Sequence, residues 1–195
     1  MVTNAIDVPD KQADIFWGEI APCEHLVQIY EEDRIFLDAL EGFVTGGIRA
    51  GDGVVVIAMP NHLRALEERV TGRGVDIEAA RSRDEYIALD AEETLSKFMV
   101  NQWPDERLFD KLVSDLIKRS GRGGRRVRAF GEMVAMLWAQ GSSGAVVHLE
   151  YLWHRFCREK AFCLFCAYPK AGFTSDDMES SMREICEAHT RVVAG

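Results

Sequence analysis

Short unbroken apolar runs alternate along this chain with longer stretches in which apolar residues recur every three or four positions. The short runs are His25–Tyr30 (HLVQIY), Val54–Met59 (VVVIAM), Tyr86–Leu89, Val127–Phe130 and Phe162–Ala167. They are too short for helices, and the second lacks the alternation of a half-exposed strand. Such runs suit parallel strands covered on both faces.

The longer stretches predict helices. Asp33 fits an N-cap ahead of Ile35, Phe36, Leu40, Phe43 and Val44, with Gly46, Gly47 and Gly51 closing the helix. Pro60 ends a strand and opens a helix from about Asn61 to Val70, with a short helix at Val75–Ser82 and another from Ala91 to about Val100. Pro104 and Asp105 start a helix striped by Phe109, Leu112, Val113, Leu116 and Ile117. An apolar helix follows at Met133–Gln140, then GSSG, then a helix from Ser143 to Lys160 with Val146, Leu149, Trp153 and Phe156 on one face. Thr174–Asp177 resembles a capping box and predicts a last helix reaching about Val192.

Strands alternating with helices predict an α/β fold of three layers, a mostly parallel central sheet with helices on both faces. Pro22 divides a polar N-terminal extension, residues 1–22, from one domain over residues 23–195; Ile15, Phe16 and Trp17 in the extension are expected to pack on that domain. The 195 residues suffice for one sizeable core.

Charge and cysteine usage narrow the function. A net charge of −9 disfavours nucleic acid and anionic membranes. No apolar run approaches the ~18 residues of a membrane span. The first residues, MVTNAIDVPDKQAD, lack the basic and apolar regions of a secretory signal, so the five cysteines are expected to be reduced thiols of a cytoplasmic protein.

Several motifs in order carry a family resemblance: HLVQIY, Leu89–Ala91 (LDA), Val127–Trp138 (VRAFGEMVAMLW), Leu149–Trp153 (LEYLW) and Phe162–Pro169 (FCLFCAYP). Together they resemble the MEDS sensory domain, named for methanogens, methylotrophs and a dichloromethane-responsive regulator, over roughly residues 23–190. The resemblance implies a fold similar to RecA/KaiC-like ATPases and a role in sensing small molecules during signal transduction.

In an ATPase of that fold the strand Val54–Met59 would lead into a phosphate loop. Here Met59-Pro60-Asn61-His62-Leu63-Arg64 follows, with no glycine and no lysine, and proline removes one backbone donor. Gly42 and Gly47 have phosphate-loop spacing, but Ile48 and Arg49 come next. The expectation is a degenerate phosphate loop and no ATP hydrolysis. Ligands of open α/β sheets bind outside the carboxyl ends of the strands. Residues expected to line that rim are Asn61, His62, Asp90, Arg128, Glu132, Glu150 and Trp153. Four of them have a plainer alternative. His62 could be an exposed first-turn residue, Asp90 a helix cap, Arg128 half of a structural ion pair, and Glu132 a first-turn helix charge contributing only ~0.3–1 kcal/mol.

Glu150 and His154 can meet on one helix face, but spacing supplies no third metal ligand, so neither a metal nor a cofactor is expected. Cys163 and Cys166 form a CxxC inside a strand, where residues three apart point to opposite faces. Lys118–Arg128 holds six cationic residues without interleaved aromatics and reads as a solvated loop. These features favour a non-catalytic sensory module that binds a small molecule and signals to a partner such as a histidine kinase or transcription regulator. Binding to a second copy as a homodimer is compatible with this. The alternatives are a nucleotide-dependent ATPase or kinase-like enzyme with an atypical phosphate loop, and a pure protein-interaction module.

Overall fold

The computed structural model describes residues 17, 18, 20–172, 185 and 189–193. Six strands form one sheet in the order β3-β2-β6-β7-β1-β8. They are β1 (His25–Tyr30), β2 (Gly53–Ala58), β3 (Tyr86–Asp90), β6 (Val127–Gly131), β7 (Cys163–Pro169) and β8 (Arg191–Val193). Every pairing in this sheet is parallel. Among the described residues seven α-helices with both ends defined join and cover the strands: α1 (Asp33–Arg49), α2 (Pro60–Gly72), α3 (Ile77–Ser82), α4 (Ala91–Ser96), α5 (Glu106–Ser120), α6 (Met133–Ala139) and α7 (Ser143–Lys160). None of the described helices is long and apolar enough to cross a membrane.

Strand alternation divides the core in two. Val54, Val56 and Ala58 of β2, with Phe130, Cys163, Phe165 and Ala167, face α1, α2 and α3. Val55 and Ile57, with Ala129, Leu164, Cys166 and Tyr168, face α4 to α7. Cys163 and Cys166 therefore lie on opposite faces, as strand geometry requires. A side chain with water on neither side accounts for the apolar runs; each fully buried Val, Leu or Phe contributes about 1.5–3 kcal/mol.

Aspartates start three helices. Asp76, Asp90 and Asp105 each accept a 2.9 Å hydrogen bond from the backbone N–H three residues on.

Three expectations are corrected. The helix expected over Ala91–Val100 stops at Ser96. Met99–Val100 (β4) instead pairs antiparallel with Trp103–Pro104 (β5), across Asn101 and Gln102 with φ of 50° and 64°. Two consecutive positive φ values make the tight hairpin turn that matches strand twist. Gly46 and Gly47 do not close α1, which runs on to Arg49. They serve close packing: a Cβ on Gly42 would lie 2.4 Å from the Trp17 ring, and one on Gly46 2.9 Å from the Trp17 Cβ. Trp17, the described part of the N-terminal extension's apolar group, fills this groove against Phe43 and Phe165. Finally, Arg191–Val193 is a strand beside β1, not the end of a helix. The capping-box residues 174–177 lie outside the described residues.

Candidate functional site

The carboxyl ends of β1, β2, β3, β6 and β7 deliver Tyr30, Met59, Asp90, Glu132 and Tyr168 to one edge of the sheet. Glu132 follows the last residue of β6, and its N–H extends the ladder by bonding the Ile57 carbonyl at 2.9 Å. Its side chain does not cap its own helix. It crosses to the start of α2, where one carboxylate oxygen accepts the Met59 N–H at 2.8 Å. The other lies 2.7 Å from His62 Nδ1. Pro60 at the first helical position lets α2 begin immediately, so His62 falls in the first turn beneath Glu132.

Both side chains are buried, with 11% of His62 and 8% of Glu132 exposed. Phe36 presents its ring to His62 at 5.1 Å and stacks on Tyr30 at 4.9 Å. The hydrogen bond to the Glu132 carboxylate, with its charge and that of Asp33, raises the His62 pKa against the opposing effect of burial. Burial and the Glu132 charge push the Tyr30 phenol up. Glu132 thus does more than a first-turn dipole charge. Its removal strands a backbone N–H and a ring nitrogen, at about 1–3 kcal/mol each.

A folded-state pKa above the usual 6.5 fixes the sign of the pH dependence. The His62 contribution to stability is complete below that value and is lost as pH rises through the raised pKa. Wild type and His62→Gln should differ most in urea stability at about pH 6, and progressively less toward pH 9. A difference constant with pH would remove His62 from the ion pair.

The other rim residues divide. Asn61 is exposed in the first turn of α2, and Asp90 caps α4 while standing next to Ala58 of β2. Arg128 is not brought to the rim. It is the second residue of β6, at the opposite end of the sheet, where its Nε meets Asp52 at 2.7 Å and one terminal nitrogen bonds the Trp17 carbonyl. The basic run around it is largely matched by acids: Arg119 and Arg122 pair with Asp84, and Arg126 with Asp52.

Trp153 and Glu150 lie on the other face of the sheet, on the buried side of α7. The indole sits against Gly131, 3.6 Å from where a Cβ would be. The Glu150 carboxylate enters a buried group that spacing alone does not reveal. Tyr168 donates to its Oε1. Its Oε2 lies 3.5 Å from His25 Nε2 and 3.6 Å from His189 Nε2. Cys166 completes a set of four residues whose ligand atoms all fall within 4.8 Å of one another. His154, the neighbour expected for Glu150, stands further out, its ring 5.9 Å from that of His25. Burial raises the Glu150 pKa and, with the neighbouring His189 and His154, lowers that of His25. The alternation of Cys166 and Tyr168 on β7 was the only local signal for this group, because its other members are far apart in sequence.

A family model for the MEDS domain, described as the methanogen/methylotroph, DcmR sensory domain, matches residues 24–190. No curated protein matches the chain.

Proposed function

From the premise that the chain belongs to the MEDS family of sensory domains, we propose that it is a non-catalytic regulatory module which binds a small unphosphorylated molecule at the sheet rim and signals to a partner protein. The observation that carries this reading is the placement of the Glu132 carboxylate on the Met59 N–H and His62. A helix N-terminus following a strand is the natural seat of a phosphate. At α2 an internal carboxylate takes that seat, in keeping with a degenerate phosphate loop at Met59–His62. A nucleotide phosphate would meet a buried like charge there. A neutral or cationic ligand could instead engage Glu132 and His62, with Tyr30, Asn61 and Asp90 nearby. Rearrangement of the ion pair would then be felt through α2 and α6, the helices that begin at the two residues' own junctions.

Calorimetry with ATP and magnesium should give no binding at a Kd of about 1–10 μM. Native mass spectrometry of protein drawn gently from cells should reveal a retained small molecule, lost in Glu132→Gln and His62→Ala. Tight ATP binding, with hydrolysis abolished by Glu132→Gln, would replace this reading with the enzyme.

A further inference from the structure

The four buried groups beneath α7 make a more specific arrangement than the packing of a core needs. Two imidazoles, a carboxylate and a thiol come from β1, α7, β7 and the residue two positions before β8. His25 Nε2 lies 3.5 Å from both Glu150 Oε2 and Cys166 Sγ. Glu150 Oε2 is 3.6 Å from His189 Nε2 and 4.0 Å from Cys166 Sγ. A tetrahedral zinc ion with arms of ~2.0–2.3 Å has ligand-to-ligand edges of about 3.3–3.8 Å. Four of the six edges thus fall at or within a few tenths of an ångström of that figure, and all six lie within 4.8 Å.

The surroundings orient two of the donors, His189 and Glu150. Nδ1 of His189 faces the Ile185 carbonyl, so it carries the ring proton and leaves Nε2 as a lone pair directed at the cluster. That Nε2 is buried and has no hydrogen-bond partner among the described residues. The Tyr168 hydroxyl occupies Glu150 Oε1 and leaves Oε2 for the centre. This is the outer support that ligating histidines and carboxylates ordinarily receive.

We propose that His25, Glu150, Cys166 and His189 form a closed structural zinc site that fastens the end of the described chain to β1 and α7. Binding displaces the Cys166 thiol proton and forms the Zn–S bond, with no change of oxidation state. The complex of Zn²⁺ with one thiolate, one carboxylate and two neutral imidazoles carries no net charge. That suits a group from which water is excluded. The site is independent of the rim ligand: it lies on the other face of the sheet and shares no residue with Glu132 and His62.

The test unfolds the full chain, strips it with a chelator, and refolds it with or without one equivalent of zinc. One zinc per chain, measured by elemental analysis after desalting, and a higher Tm for the loaded protein are expected. Cobalt in place of zinc should give the intense visible bands of a tetrahedral ion and a sulfur-to-cobalt charge-transfer band. Cys166→Ser should abolish that band and weaken zinc binding by about 100-fold or more, while Cys163→Ser, on the opposite face, leaves both unchanged. Tyr168→Phe, which touches no metal, should weaken binding by about 10–100-fold. Absence of bound zinc in refolded protein, or zinc binding undiminished in both Cys166→Ser and Glu150→Gln, overturns the proposal.

Discussion

Trp153→Ala should cost ~3–5 kcal/mol of stability. The indole is 1% exposed. It meets the Phe109 ring edge-on at 4.9 Å and lies over Gly131 where β6 ends. Truncation removes a large apolar volume from between α7, α5 and the sheet, and the neighbouring backbone cannot close the gap. Loss of the aromatic pair adds about 0.5–1.5 kcal/mol to what area alone predicts. The indole N–H is buried with no hydrogen-bond partner among the described residues. Trp153→Phe therefore sacrifices no hydrogen bond and should cost less than half as much as the alanine variant. Urea titrations of the three proteins, with m unchanged, test this. An alanine variant within about 1 kcal/mol of wild type would mean that the site collapses freely.

The second large effect is expected at the other end of the sheet. Arg128 and Asp52 have side chains 2% and 4% exposed and share a 2.7 Å hydrogen bond. Asp52→Ala leaves a guanidinium buried without its acid and should cost ~3–5 kcal/mol. Arg128→Met keeps much of the volume beside Phe43 and Gly47 and removes the charge. The double variant should then be more stable than Asp52→Ala alone, with a coupling of about 1–3 kcal/mol between the two sites. Additive losses in chemical denaturation would show that the pair is not coupled, and that Arg128 is held by the Trp17 carbonyl and its packing.

Much of the scaffold was legible because parallel strands buried on both sides cannot hide their apolar runs. Val54–Val56 and Leu164–Phe165 could be little else. The start of α5 was readable from Asp105, and the opposed faces of Cys163 and Cys166 from alternation alone. The β4–β5 hairpin was not, because Asn101 and Gln102 adopt positive φ without the glycine that usually advertises such a turn. Gly46 and Gly47 were misread because a glycine that ends a helix looks the same in sequence as one that admits a close neighbour, Trp17 at Gly46 and the Val54 and Arg128 side chains at Gly47. At the candidate site, Glu132 and His62 could each be placed near the rim, but their mutual hydrogen bond is a product of the β2–β6 register. Arg128 could have been assigned to the far end, since it is the second residue of its strand. The grouping of His25 with His189 could not, because nothing local joins them.

That last separation bears on how the chain acquires its fold. β2 has both of its neighbours once synthesis reaches Gly131. β1 does not: His25 is 141 residues from Cys166 of β7 and 165 from Thr190 beside β8. At a ribosomal rate of ~5–20 residues per second, the earlier of these partners emerges about 7–30 s after β1. β1 must wait that long with both edges unpaired. Non-local parallel pairing of this kind closes late and slowly. The β3-β2-β6 half of the sheet is therefore the natural nucleus, and insertion of β1 between β7 and β8 is the step at which a chaperone would have the most to shield.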